Sequence, residues 1–320
     1  MKKRILTGLF TVFFIISLFF KCYHAEAAFY SKQSKDTCKD KPFTMVWLSD
    51  PQYYSAYYPN IFDCLGDWFV KNYTSKAFGY LIVSGDIVDN ANCVNQWEVA
   101  NRNFKKLDDK NIPYGVLAGN HDVRMNGLNY SVFKSYFGAS RYAGKLWYGG
   151  SMDNNRNHYD LISFSSHSFI ILYLGFGSET SLETTTWANS VLQKYSDRNA
   201  ILVLHEYLDA DGEMTEKARI VSDNILIKNN NIFMVLCGHN HGSQKKVRMI
   251  CNPDGTTRKV LEILSDYQDA PNGGNGFLRL LNFNPNFGTL KVSLYSPYTK
   301  KDKFFGKDID TFTENIQLID

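Results

Sequence analysis

What this sequence lacks narrows it first. Its 320 residues carry 35 Lys and Arg against 32 Asp and Glu, a formal surplus of +3. Lys2, Lys3, Arg4 and Lys21 against Glu26 supply that whole surplus, so the chain from residue 28 onward is formally neutral. Global charge therefore gives no footing for nucleic-acid binding. Cysteine is sparse: of the 6 present, no two stand in C-x-x-C spacing, so no zinc knuckle is expected. Cys38, Cys64, Cys93, Cys237 and Cys251 lie beyond residue 27, an odd set, so at least one thiol stays unpaired within the chain. The zincin pattern H-E-x-x-H is also missing, because Asp209 stands where His205-Glu206 would need a second histidine. Internal repeats, heptads, charge blocks and low-complexity stretches do not appear.

The amino terminus reads as a targeting segment. Lys2-Lys3-Arg4 is a basic start, residues 5–20 are apolar and uncharged, and Ala25-Glu26-Ala27 is a small-residue cleavage pattern. Residues 1–27 are therefore expected to be a secretory signal peptide, which leaves no membrane span after cleavage and a secreted or cell-surface product. A lipoprotein at Cys22 is disfavoured by Lys21. Export permits a disulfide, with Cys64 and Cys93 as the pair to examine. A loose segment over 28–43, a folded domain over 44–300 and an extension over 301–320 complete the expected organisation.

Within the domain, five polar clusters each follow a Val-, Ile- and Leu-rich run. The runs are 44–49, 80–84, 114–118, 200–204 and 232–237, and they read as buried strands. The clusters are Asp50-Pro51-Gln52, Gly85-Asp86-Ile87-Val88-Asp89, Gly119-Asn120-His121-Asp122, His205-Glu206 and Gly238-His239-Asn240-His241. Helices are expected over 61–73, 95–107, 131–137, 182–195 and 215–228. Alternation of this kind implies an α/β fold with largely parallel pairing. Ligands gather beyond the carboxyl ends of such strands, and carboxylates, amides and histidines together suit divalent cations. After His241 the chain turns strand-rich, at 246–251, 260–264, 277–283 and 289–295. Residues 138–158 read as a long loop. Leu48-Ser49-Asp50-Pro51-Gln52 and Leu264-Ser265-Asp266-Tyr267-Gln268 look alike, a likeness read here as coincidence.

The five clusters, in this order, resemble the calcineurin-like metallophosphoesterase superfamily, whose motifs run D-x-H, G-D-x-x-D, G-N-H-[DE], a lone His, and G-H-x-H. Four match as they stand. The first departs, with Gln52 in place of His, a form similar to secreted bacterial members. The resemblance implies two facing mixed β-sheets flanked by helices, a four-layer α/β/β/α arrangement. It implies two divalent metal ions, Mn, Fe or Zn. Asp86 would bridge them. Asp50 and His241, with Gln52, would hold the first, and Asn120, His205 and His239 the second. His121 would face the substrate as the catalytic acid, oriented by Asp122. Asp89 is expected to cap the following helix or support the site. An amide oxygen at Gln52 favours harder cations than Zn²⁺.

The expected activity is that of an exported, metal-dependent phosphoester hydrolase, with metal-bound hydroxide attacking phosphorus directly. Its substrate would be a small-molecule or surface phosphate ester, mono- or diester. The alternative is a phosphoesterase-like binding module with little catalysis, motivated by Gln52. Selectivity is expected from the loops 142–158 and 266–276, represented by Tyr148 and Tyr267. His158 and His167 read as structural or surface residues.

Overall fold

The computed structural model describes residues 40–319 except 126, 127 and 253. The expected signal peptide and most of the segment behind it lie outside the described residues. Among the described residues no helix is long and apolar enough to cross a membrane.

Thirteen strands among the described residues form two sheets. The first contains β1 (Phe43–Leu48), β2 (Tyr80–Val83), β3 (Tyr114–Val116), β11 (Leu278–Asn284), β12 (Thr289–Tyr295) and β13 (Thr311–Asn315), in the order β13-β12-β11-β1-β2-β3. The second contains β4 (Tyr148–Met152), β5 (Asn157–Phe164), β6 (His167–Leu174), β7 (Asn199–Leu204), β8 (Ile232–Cys237), β9 (Gly242–Cys251) and β10 (Thr257–Asp266), in the order β4-β5-β6-β7-β8-β10-β9. Strands β1, β2 and β3 are parallel to one another. So are β6, β7, β8 and β10. All five runs read from the sequence as buried strands are strands of these parallel sets.

Side-chain alternation along one strand shows why there are four layers. Met45 and Trp47 of β1 face inward, into a core shared with Ile171, Val203, Leu236 and Ile263 of the other sheet. Val46 and Leu48 face outward, against Phe62, Leu65, Trp97 and Phe104. Those residues belong to the helices Pro59–Thr74 and Val94–Asp109. The second sheet is covered likewise by Ala188 and Leu192 of Leu182–Lys194 and Val221 of Glu216–Val221. Strands buried on both faces must be apolar throughout, hence the short continuous runs in the sequence.

Several expectations change. Residues 215–228 form not one helix but the helix Glu216–Val221 followed by a π-helical turn, Ser222–Leu226. The expected loop 138–158 is partly regular, containing the helix Ala139–Tyr142 and β4. The segment expected as a carboxyl-terminal extension contributes β13, which pairs antiparallel with β12. It also returns to the second sheet, where the Ile319 N–H donates to Asn199 Oδ1 at 2.7 Å. Cys64 and Cys93 are both free thiols, so the pair suggested by export does not form here.

Candidate metal centre

Asp50, Asp86, Asn120, His205 and His239 each lie just past the carboxyl end of a strand: β1, β2, β3, β7 and β8. Three of them occupy the left-handed region, Asp50 and Asp86 at φ 50° and His239 at φ 71°. Such backbone is uncommon for residues with a Cβ, and it concentrates at functional sites. Here it turns three side chains back across the strand ends. Glycine supplies the clearance. A Cβ at Gly119 would stand 2.1 Å from Asp86 Oδ1, and one at Gly238 would stand 2.0 Å from Asp50 Oδ2.

Candidate ligand atoms of Asp86, His205 and His239 all lie within 4.8 Å of one another. His205 Nε2 is 3.3 Å from Asp86 Oδ1 and 2.8 Å from Asn120 Oδ1. Its Nδ1 is 3.0 Å from the Ser84 carbonyl oxygen, an acceptor for an Nδ1–H. That bond leaves Nε2 as the nitrogen aimed into the cluster, the carbonyl-backed arrangement common among metal-binding imidazoles. Asp50 Oδ1 accepts the His239 N–H at 3.1 Å and sits 3.8 Å from His205 Nδ1. Gln52 Nε2 donates to Asp86 Oδ2 at 3.2 Å, while its buried Oε1 has no hydrogen-bond partner among the described residues. His241 is more exposed. Its Nδ1 lies 2.7 Å from Asp269 Oδ2, and its Nε2 contacts the Gln268 amide.

The charges register the same convergence. Burial alone would lower the His205 imidazole, but the Asp86 and Asp50 carboxylates outweigh it and push it up to about 10. Burial, then the charge on His205, pushes His239 down to about 4. Burial, then the carboxylate of Asp266, holds Asp50 well above the usual carboxylate range. Burial would raise Asp86 as well, yet the charge and hydrogen bond of His205 bring it below its ordinary value. Two buried carboxylates around one imidazole are costly without balancing positive charge. Together with the unpartnered Gln52 oxygen and the glycine clearances, this donor set fits divalent cations.

His121 and Asp122 part company. The His121 Nδ1 is 2.7 Å from the Asp89 carbonyl oxygen, an acceptor, so the ring donates there and turns Nε2 outward. The carboxylate beside the ring is also that of Asp89, at 3.6 Å. Asp122 instead accepts the backbone N–H groups of Ile87 and Val88 on Oδ1 and of Gly119 on Oδ2. The expectation that Asp122 orients His121 is thus corrected: Asp122 ties the β2 and β3 loops together. Asp89 does not cap a helix either, since the residue preceding Val94–Asp109 is Cys93 and it makes no side-chain cap.

Neither loop tyrosine lies along the cleft beside His121. Tyr148 stacks on Tyr142 and donates to Asn155 Oδ1 at 2.9 Å. Tyr267 is buried against Phe277, Phe304 and Phe305, and its hydroxyl donates to Asp310. Side chains absent from the sequence reading line that cleft instead. It is about 830 Å³ in volume and is bounded by Asn120, His121, His239, Arg124, Lys217 and Phe176, among others. The Lys217 ammonium sits 4.0 Å from the Phe176 ring centroid and 2.8 Å from Glu206 Oε2. No local motif marks Arg124 or Lys217, because their relation to the site is entirely tertiary.

The architecture and the site define a class. The profile of calcineurin-like phosphoesterases matches residues 43–243. The chain belongs to that family, a family of phosphoester hydrolases. It is 43% identical over 273 residues to the uncharacterized protein YvnB of Bacillus subtilis, an alignment covering 84% of this chain and 21% of that one. The chain thus spans about a fifth of its relative's length. Among solved structures, a purple acid phosphatase from yellow lupin seeds superposes with a TM-score of 0.55 at 12% identity, covering 86% of this chain and 54% of that one. GAP50, described as the anchor in the inner membrane complex of Plasmodium, gives 0.51 at 11% identity, with 86% and 89% covered. These two likenesses concern the fold.

Proposed function

We propose that this chain hydrolyses phosphate esters at a centre of two divalent cations, by direct attack of water on phosphorus. The observation carrying this reading is the convergence of Asp86, His205 and His239 within 4.8 Å, with Asp50 and Asn120 hydrogen-bonded into the same cluster. Asp86 would be shared between the ions, Asn120, His205 and His239 would hold one, and Asp50, His241 and Gln52 would hold the other. When bound, two such ions concentrate positive charge and make water acidic enough to attack near neutral pH.

The chain's own residues supply the rest. His121, with Nδ1 donating to Asp89, holds a proton at Nε2 in its charged form and delivers it to the departing ester oxygen. The Asp89 carboxylate stands 3.6 Å from the same Nδ1 and holds the ring in place. Arg124 and Lys217, at the cleft wall, attract an anionic ester and stabilise its non-bridging oxygens. Asp122 keeps the loops bearing Asp86 and His121 in register. No side-chain nucleophile is required, so no phospho-enzyme forms.

Export is part of the proposal, supported by the basic, apolar and small-residue pattern of residues 1–27. Amino-terminal sequencing of protein recovered outside the cell tests it, and an intact Met1 start there counts against cleavage. For catalysis, the metal-stripped chain reloaded with Mn²⁺ should turn over p-nitrophenyl phosphate or its bis ester, or a member of a nucleotide and phospholipid panel. Two bound equivalents with no turnover of any of these would favour a binding module instead.

A further inference from the structure

Leu264-Ser265-Asp266-Tyr267-Gln268 repeats Leu48-Ser49-Asp50-Pro51-Gln52 at four of five positions. The fold gives the likeness a meaning that the sequence alone did not. One pentapeptide leaves β1 in the first sheet, and the other leaves β10 in the second. Strand β10 runs parallel to β8 with Leu264 opposite Cys237. Asp266 lies two residues beyond Leu264, as His239 lies two beyond Cys237. Asp266 therefore leaves its strand level with a candidate ligand, at the same end of the sheet.

Its surroundings are those of a ligand without its cation. Asp266 is 1% exposed. Oδ1 accepts the Gln268 N–H at 2.9 Å, but Oδ2 is buried with no hydrogen-bond partner among the described residues. The His241 Nε2 is 3.9 Å from that oxygen. The side-chain oxygens Gln268 Oε1 and Gln52 Oε1 are buried without partners as well. Leaving a charged oxygen buried and unpaired is costly, and a second carboxylate nearby adds to the cost. Asp50 is such a neighbour, and a small cavity lined by Ser49, Asp50, Ser265 and Gln268 lies between the two strand ends. The loop after Asp266 also buttresses the helix carrying Gln52: the Gly276 N–H donates to Tyr54 Oη at 2.9 Å, and a Cβ at Gly273 would stand 2.5 Å from that of Tyr53.

We propose that Asp266 is a ligand of the outer metal position, joining Asp50 and His241 where Gln52 replaces the usual histidine. Asp269 positions the His241 ring through Nδ1, and Gln268, which contacts Nε2 from the same loop, would turn aside to free that nitrogen for the cation. This rests on the two-cation reading above and deepens it. With two carboxylates and one imidazole, the outer position is oxygen-rich. It therefore favours Zn²⁺ over Mn²⁺ by less than the deep position does with its two imidazoles.

The test measures binding, not turnover. Wild-type protein and Asp266→Asn are stripped of metal and titrated with Mn²⁺, with bound metal counted by elemental analysis. Wild type should take up two equivalents. Asp266→Asn should keep one and bind the second at least about 100-fold more weakly, beyond the loss typical of a supporting contact. Metal-free, the variant should melt at or above the wild-type temperature and lose only the increment that the second ion adds. Two equivalents bound as tightly as by wild type would overturn the role of Asp266 and leave the two-cation reading intact. No metal bound by wild type would overturn both. Should Asp266→Asn fail to fold, wild type loaded with Zn²⁺ decides: as Mn²⁺ is raised, one Zn²⁺ of two should be displaced well before the other, and displacement of the two together overturns the proposal.

Discussion

The two metal positions proposed for this one site, one deep and one outer, are built differently. The deep one draws on Asp86, Asn120, His205 and His239, whose side chains meet directly across strand ends in both sheets. The outer one draws on Asp50, Gln52 and His241, and by our proposal Asp266. His241 is still held by Asp269 and Gln268, and Gln52 Oε1 and Asp266 Oδ2 have no hydrogen-bond partner among the described residues. The deep position has two imidazoles among its four donors, and left-handed backbone serves both positions, at Asp86 and His239 in the deep one and at Asp50 in the outer one. The outer one is rich in oxygen and assembled from one helix and two loops. On the two-cation proposal, softer and harder donors in one centre would give the two positions different preferences and fill them in order.

The change with the largest expected effect erases the comparison. Asp86→Asn removes the carboxylate proposed to serve both positions, so elemental analysis should find both empty and turnover at background. If only the outer position empties, Asp86 belongs to that ion alone and the two positions are independent.

A second change should leave both positions filled. His121→Ala is expected to retain two equivalents yet lower kcat by roughly 10²–10⁴, the range for a positioned acid or base. Asp122→Ala is its structural counterpart. It strands three backbone N–H groups, each costing about 1–3 kcal/mol when buried unpaired, so thermal melting should fall clearly. An Asp122 variant with full stability and lost rate would return Asp122 to the chemistry.

Gln52→His sharpens the difference between the positions by a smaller amount. An imidazole there makes the outer position softer, so Zn²⁺ should compete better with Mn²⁺ by about tenfold or more in a titration. An unchanged preference would mean that Gln52 is not a ligand and that its hydrogen bond to Asp86 is its role.

Much of this was legible in the sequence for a simple reason. Strands β1, β2, β3, β7 and β8 are buried on both faces, so each is an unbroken apolar run, and each ends in its own polar cluster. Strand β5 escaped notice because Asn157, His158 and Asp160 interrupt the run with polar side chains that are nonetheless buried, and β6, although apolar over 169–174, ends in no polar cluster of the kind that marked the others. Strand β13 escaped because Thr311–Asn315 is a polar edge strand. The partner of His121 was misjudged because sequence adjacency favoured Asp122, while the turn after β2 brings Asp89 to the ring. Asp266 was visible as a repeated pentapeptide, but only the parallel pairing of β10 with β8 shows that the repeat ends at the same site.

The smallest expected effect comes from a histidine outside both positions, and it tests what makes the site's histidines unusual. His158 is as buried as His205, yet it stacks on Tyr173 with ring centroids 4.3 Å apart, and neither nitrogen has a hydrogen-bond partner among the described residues. Burial pushes its imidazole down to about 3, whereas carboxylates push His205 up to about 10. A group whose folded value is depressed binds its proton more readily in the unfolded chain. Stability from keeping His158 neutral is therefore complete above its unfolded value near 6.5 and drains away as pH falls toward about 3. His158→Phe preserves a flat ring for the stack and removes the titration. The variant should match wild type near pH 7 and gain on it by about 1.4 kcal/mol per pH unit below 6.5, roughly 2 kcal/mol at pH 5. Denaturant titrations of the metal-free proteins at pH 7 and pH 5 measure this. Parallel losses in the two proteins would mean that His158 finds a proton acceptor in the folded state, and that isolation from carboxylates is not what separates it from His205.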